Sequence, residues 1–218
     1  MRTVSAPAAN EKTKIQKIAF SSVEKLREGS VIVVAVENSY VALVDPSSEA
    51  GLEVFHSIKN FDADTFYPVF VNAIEDLSGF IAPISGTERL IASKFWPGLL
   101  NIEFKGNRVM PHNLGAKNTP ETVVARKPKN PVINAISELI GPIIYTSLMD
   151  GSNKPIKTLA ELTPRLRKLI TLAIDSGEIK SFKKSTLVSC VQAKPILTRP
   201  GSIPSWKIKK VIPELIES

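Results

Sequence analysis

Apolar positions along this chain recur at two spacings, and stretches of the two alternate. Between Lys14 and Glu28 the apolar residues Ile15, Ile18, Val23 and Leu26 fall at helical intervals, and Gly29 supplies a stop. Val31–Val36 then runs apolar on both faces and is largely β-branched, the pattern of a strand buried within a parallel or mixed sheet. Glu37-Asn38-Ser39 reads as a turn into a second short strand, Tyr40–Val44. Ser47 and Ser48 are N-cap candidates for a helix whose inner face is set by Leu52, Phe55 and Ile58. Tyr67–Val71 is strand-like, with Pro68 near its start.

The middle of the chain predicts a helix ending near Phe95, a break at Trp96-Pro97-Gly98, and strands at Leu99–Phe104 and Thr122–Ala125. A helix over Val132–Ile140 ends at Gly141-Pro142, and Ile143–Ser147 is the next strand. Pro164 opens a basic amphipathic helix that the pattern carries through Ala173, with Leu166, Leu169, Ile170 and Ala173 inward. Strands at Thr186–Val191 and Pro195–Arg199 close the core, and three prolines from Pro200 onward predict a tail running over the surface. Strands alternating with helices at both crossover and hairpin spacings give an α/β fold with a twisted mixed open sheet and flanking helices. Residues 1–12 are expected as a disordered tail, 13–203 as one domain and 204–218 as a C-terminal extension.

Composition adds a location. At 218 residues, with 43% hydrophobic and 22% charged, the chain has the make-up of one globular domain rather than a disordered or collagen-like one. The longest apolar run is six residues, too short to span a bilayer, and Met1–Asn10 lacks the apolar core of a secretory signal. The single cysteine, Cys190, sits in an apolar stretch and reads as a buried thiol in a reducing, cytoplasmic setting. Charge changes the picture more. Residues 1–150 carry 15 Lys/Arg against 16 Asp/Glu, whereas 151–218 carry 13 against 5, so the whole net +7 comes from the last third. That excess points to an anion site, for nucleotide phosphates or an RNA backbone, or else to a solvated basic face.

Several chemistries are missing. His56 and His112 stand apart without a second ligand at helical spacing, and one cysteine makes no zinc set, so no protein-bound metal site is expected. GxGxxG, GxxxxGK[ST] and GxSxG motifs are absent. Phosphates would have to be held by lysine, arginine, hydroxyls and backbone amides. Trp206 among Lys207, Lys209 and Lys210 fits either a base-stacking surface or an anchor for the tail, and the anchor is the simpler reading.

Seven segments, taken in order, carry a resemblance. They are Ala35-Val-Glu-Asn-Ser-Tyr-Val-Ala-Leu-Val-Asp45, Lys59-Asn60-Phe61, Trp96-Pro97-Gly98 and Val123-Val-Ala-Arg126-Lys-Pro128, then Ile144-Tyr-Thr146-Ser147-Leu-Met-Asp-Gly151, Lys184-Ser185-Thr186-Leu-Val188 and Ile196-Leu-Thr-Arg199-Pro-Gly201. In order and spacing the chain resembles the YrdC family, the threonylcarbamoyl-AMP synthase domain, from residue 22 to about 203. The resemblance implies a single YrdC-like domain around a basic concave cleft, ATP with magnesium as substrate, and a link to tRNA modification. Family motifs are altered here. Glu37 and Tyr40 stay in register, but Ala35, Val36 and Asn38 replace Pro, Thr and Thr. Lys59 is kept with Phe61 in place of an arginine, and Ser147 is kept with Met149 in place of an asparagine, a variant that looks more like the YciO branch.

Replacing an arginine by phenylalanine removes a charge-assisted phosphate contact, and asparagine to methionine removes a donor and an acceptor. Each preorganised polar group lost from an active site costs about 10²–10³ in rate. The implied nucleotide- or phosphate-binding set is Lys59, Arg126, Thr146, Ser147, Ser185, Thr186 and Arg199, with Asn38 and Tyr40 in the substrate pocket; no catalytic residue is assigned. The leading expectation is a protein that binds a nucleotide, or double-stranded or structured RNA such as tRNA, with weak or no threonylcarbamoyl-AMP synthesis. Two alternatives stand: a divergent synthase using Lys59, Ser147 and Arg199, and a partner-binding module without either ligand.

Overall fold

A helix that buries one stripe and a strand that buries both faces must lie against each other, and the N-terminal third does this first. The computed structural model describes residues 1–59 (Lys59 by its backbone alone), 66–181 and 183–217. Helix α1 (Lys12–Arg27) buries Ile15, Ala19, Val23 and Leu26, and Gly29 takes a positive φ of 84° that turns the chain into strand β2 (Val31–Val36). All six residues of β2 are buried, and so are all six of β3 (Ser39–Val44) beside it. At about 1.5–3 kcal/mol for each fully buried Val, Ile or Leu, this hairpin is the thermodynamic centre of the fold.

The remaining elements follow the alternation. Helix α2 (Glu49–Lys59) begins with the Ser48 hydroxyl accepting from the Gly51 N–H at 3.2 Å, so Ser48 is the cap of the expected Ser47/Ser48 pair. Strand β4 shortens to Val69–Phe70, and α3 (Gly86–Phe95) starts at a Ser85/Glu88 capping box and ends before a cis Trp96–Pro97 bond. Strands β5 (Leu100–Lys105) and β6 (Thr122–Arg126) precede α4 (Pro131–Ile140) and β7 (Ile143–Ser147). Among the described residues eleven strands form one sheet in the order β1-β8-β2-β3-β7-β4-β6-β5-β9-β10-β11, with parallel and antiparallel pairs mixed. The chain is a single mixed α/β domain with a twisted open sheet, as expected.

Three expectations need correction. The helix opened by Pro164 ends at Leu169 (α5, Pro164–Leu169), and Ile170–Asp175 is strand β8, lying between β1 and β2. A short apolar run is compatible with helix or strand, and here the parallel ladder with β2 decides. Residues 2–5, expected within a disordered tail, form β1 (Arg2–Ser5), paired parallel to β8. Its side chains are mostly exposed, so the backbone ladder holds it and no apolar pattern announces it. The tail after strands β9 (Thr186–Ser189) and β10 (Ile196–Arg199) does not merely cross the surface. It forms α6 (Ser205–Lys209) and β11 (Ile216–Glu217), and buries Ile208, Ile212 and Leu215 at 0%, 1% and 4% exposure in the main core. Proline stops regular structure but does not prevent burial between breaks.

The sheet divides two cores. One face is packed by α1 and α4 against Ile32, Val34, Val41, Leu43, Phe70, Ile143, Tyr145, Leu172 and Ile174. The opposite face, with Tyr40, Ala42, Ile144 and Ile102, is covered by the other core cluster. Further along the first face Glu103, Val124 and Leu187 are only half-buried. A cleft opens where that cover gives out.

Candidate functional site

Strand pleating chooses which side chains reach this cleft. Side chains alternate between faces, and directly paired residues share one. Ser39 and Val41 on β3 lie across from β7, where Val41 pairs with Ser147. Phe70 on β4 is in register with Arg126 on β6, and Asn101 on β5 with Leu187, one pleat from Ser185. The cleft, of about 290 Å³, is lined by Asn38, Asn101, Arg126, Ser147, Ser185 and Arg199 among polar residues, and by Val36, Val41, Phe66 and Pro68 among apolar ones.

A chain of hydrogen bonds links β7, β5, the residue before β9, and β10 to its rim. The buried Tyr145 hydroxyl donates to Asn101 Oδ1 at 3.3 Å, and Asn101 Nδ2 donates to the Ser185 hydroxyl at 3.2 Å. Arg199 donates to that hydroxyl at 3.0 Å and through Nε to the Ser185 carbonyl at 3.1 Å. Burial pushes the Tyr145 phenol up, against the pull of Arg126 and Arg199, so it stays a neutral donor. Its ring stacks on Phe70 at 3.6 Å. Gly201 makes the Arg199 geometry feasible. A Cβ there would stand 2.5 Å from the Lys184 carbonyl oxygen and the Thr186 nitrogen, so only glycine lets this chain lie so close to the start of β9.

Arg126 is 2% exposed and forms an ion pair with Glu37, whose other oxygen accepts from the Lys129 N–H at 2.9 Å. The guanidinium also lies 5.7 Å over the Phe70 ring, while its Nε has no hydrogen-bond partner. The pair is neutral as a unit. Among the described residues that line the cleft, the uncompensated cation is therefore Arg199, which is exposed. Asn38 donates through Nδ2 to the Lys183 carbonyl at 3.0 Å, tying the basic segment to the rim, and its buried Oδ1 has no partner. The Ser39 and Ser147 hydroxyls stand 3.3 Å apart.

Of the residues singled out from the sequence, the structure brings Asn38, Arg126, Ser147, Ser185 and Arg199 to one cleft; Thr146 borders it but pairs with Ala42, on the face of Tyr40. Tyr40 and Thr186 go to the other face. The Tyr40 hydroxyl stands 2.7 Å from Asp175 Oδ1 and 2.8 Å from the Gly177 carbonyl, and accepts from the Ser176 N–H at 3.2 Å. Burial, then Asp175, pushes its pKa up. Thr186 both donates to the Ile203 carbonyl and accepts from the Ile203 N–H, each at 2.9 Å, and so pins the C-terminal segment. The Lys59 side chain and Phe61 lie outside the described residues. Asn101 and Tyr145 were not anticipated. The signal for Asn101 was the lone uncharged polar residue on the outward phase of Leu100-Asn-Ile-Glu-Phe-Lys105, buried at 4% exposure.

Among the described residues, the carboxylate beside the cleft is that of Glu37, engaged by Arg126 and the Lys129 N–H. Among the described residues no group of three or more His, Cys, Asp or Glu could hold a metal ion. No described helix is long and apolar enough to cross a membrane.

Residues 24–201 match the family model described as telomere recombination, the Sua5/YciO/YrdC family. A threonylcarbamoyl-AMP synthase of Pyrococcus abyssi is 26% identical over 191 residues, covering 87% of this chain and 56% of that protein. One of Bacillus subtilis is 27% identical over 190 residues, covering 86% and 54%. The chain thus spans about half the length of these two curated relatives. In fold it is similar to P. abyssi Sua5 complexed with L-threonine, at a TM-score of 0.81, 23% identity, and coverage of 100% of this chain and 63% of that one. E. coli YciO superposes at a TM-score of 0.71 with 24% identity, covering 92% and 94%.

Proposed function

The chain belongs to the Sua5/YciO/YrdC family, and from that premise we propose that its cleft binds an adenine nucleotide while threonylcarbamoyl-AMP synthesis is weak or lost. The observation that carries this reading is the relay Tyr145–Asn101–Ser185–Arg199. It fixes one uncompensated guanidinium at the mouth of a cleft otherwise lined with hydroxyls and amides. Arg199 holds phosphate, and Ser147 and Ser185 orient it. At about 290 Å³ the cleft suits one mononucleotide better than a duplex, so nucleotide is preferred to structured RNA here.

Weak turnover follows from what is missing. Met149 stands where the resemblance expects an asparagine; it is half-buried and pairs through its backbone with Pro155. Val36 lines the cleft with a hydrocarbon where a threonine hydroxyl is expected. The divergent-synthase reading, supported by the names of the relatives, differs in one measurable respect. It requires threonine and bicarbonate to drive adenylyl transfer from ATP with release of pyrophosphate.

Calorimetric titration with ATP, with and without threonine and bicarbonate, tests both. ATP binding that Arg199→Ala weakens by about tenfold or more supports the cleft assignment. Pyrophosphate release that depends on both co-substrates would restore full synthase activity and overturn the proposed loss. Absence of ATP binding would remove the nucleotide reading altogether.

A further inference from the structure

The tryptophan expected to anchor the tail does not do so. Trp206 is 54% exposed, whereas Ile208, on the other side of the same short helix, is fully buried and holds α6 to the core. Trp206, Lys207, Lys209 and Lys210 all face solvent. Lys207 Nζ lies 5.4 Å and Lys210 Nζ 4.9 Å from the indole centroid. Lys209 is spent on Glu217 at 2.6 Å, and among the described residues Lys207 and Lys210 have no carboxylate partner. The basic segment before β9 is stitched to the same region. Ser202, four residues before Trp206, donates its N–H to the Lys184 carbonyl at 2.8 Å, and its hydroxyl reaches the carbonyls of Lys183 and Lys184. Lys183 and Lys184 are themselves exposed.

We infer that this surface binds single-stranded nucleic acid, with one base stacked on Trp206 and the phosphates beside it neutralised by Lys207, Lys210, Lys183 and Lys184. An exposed indole costs solvation unless something covers it, and two ammonium groups at its face recover only a small part of that cost. A base covers the ring while its phosphates meet the cations, which is how sequence-tolerant single-strand sites are built. A duplex offers no free base face. A membrane surface fits less well, because interfacial helices bury a continuous apolar face, and the apolar residues here, Ile208, Ile212 and Leu215, are turned into the core. The site shares the Lys183–Lys184 segment with the rim of the nucleotide cleft, where Asn38 donates to the Lys183 carbonyl, but its stacking residue, Trp206, does not line that cleft.

The test is binding of a fluorescently labelled single-stranded oligouridylate by anisotropy, at several salt concentrations. Trp206→Ala is expected to weaken binding by about 5- to 100-fold, and Trp206→Phe, which keeps a ring, far less. Lys207→Glu with Lys210→Glu is expected to flatten the log–log salt slope by about 1.4. Oligonucleotide should quench the exposed Trp206 and leave Trp96, whose indole donates to the Leu100 carbonyl at 2.7 Å, as the residual emission. Unchanged thermal melting of each variant keeps folding out of the result. No binding by the wild type, an affinity indifferent to Trp206→Ala, or tighter capture by phosphatidylserine vesicles than by the oligonucleotide would each overturn the inference.

Discussion

Tyr40 and Tyr145 lie on the paired strands β3 and β7, both are buried, and burial raises the pKa of both. They nevertheless belong to different kinds of site. On one face Tyr40 is closed off: Asp175, Gly177 and Ser176 take up its hydroxyl at 2.7, 2.8 and 3.2 Å. On the other, Tyr145 makes one long bond to Asn101, and the chain it starts ends in an exposed guanidinium. A tyrosine whose hydroxyl is fully satisfied within the protein stiffens the fold. One at the root of an incompletely satisfied chain positions groups for something else. The contrast shows that a polar residue kept in register with a family motif is not thereby a ligand contact.

The predictions begin with the ion pair beside the relay. Glu37→Ala leaves the Arg126 guanidinium buried without a counter-charge and should lower stability by about 3 kcal/mol, read from the urea midpoint. If it costs under about 1 kcal/mol, then water reaches Arg126 and the cleft is wetter than the geometry implies. Tyr40→Phe should come next, at about 1–3 kcal/mol, because Asp175 and the Ser176 N–H lose a partner. Its ATP affinity should match the wild type, and a tenfold loss would erase the distinction between the two tyrosines.

Tyr145→Phe should cost only about 0.5–1.5 kcal/mol of stability, since the bond lost is long. It should nonetheless weaken ATP binding severalfold by freeing Asn101, Ser185 and then Arg199. Equal losses in both tyrosine variants would mean that the relay does not position the cation. The smallest effect is alkaline. Burial, aided by Glu88 and Glu103, pushes the Cys190 thiol from 9.0 up to about 12, and burial pushes Tyr67 from 10.0 up to about 12. Both are neutral in the folded protein at a pH where the unfolded chain ionises. Their contribution is therefore fully present below about pH 9 and lost as pH rises toward 12. Stability measured across that window should fall, and Cys190→Val should make the fall shallower.

Much of the fold was legible because its signals are local. The six-residue run Val31–Val36 became β2 unchanged, Gly29 ended α1, and Gly141 ended α4. Less was legible where the deciding energy lay between distant segments. Ile170–Ala173 reads as helix until β2 and β1 are there to pair with it, and Arg2–Ser5 has no pattern at all apart from the ladder it completes. The thiol of Cys190 is half-buried against the core, close to the expected buried state, because an apolar stretch around a small apolar residue is a local signal too.

The site divides in the same way. By itself the sequence determined which residue types were available: hydroxyls, amides and cations in a set order, with the net positive charge arising in the last third. Tertiary structure decided which of them meet. Period-two pleating sent Tyr40 and Thr186 to one face and Ser39, Ser147 and Ser185 to the other. Strand order then brought β5, β7, β9 and β10 together so that Asn101 and Tyr145 joined a site their neighbours in sequence do not suggest. The physical reason is range. Hydrophobic period and turn chemistry act over a few residues and can be read along the chain, but a hydrogen bond between residues 84 positions apart, such as Asn101 to Ser185, exists only once the sheet has chosen its register.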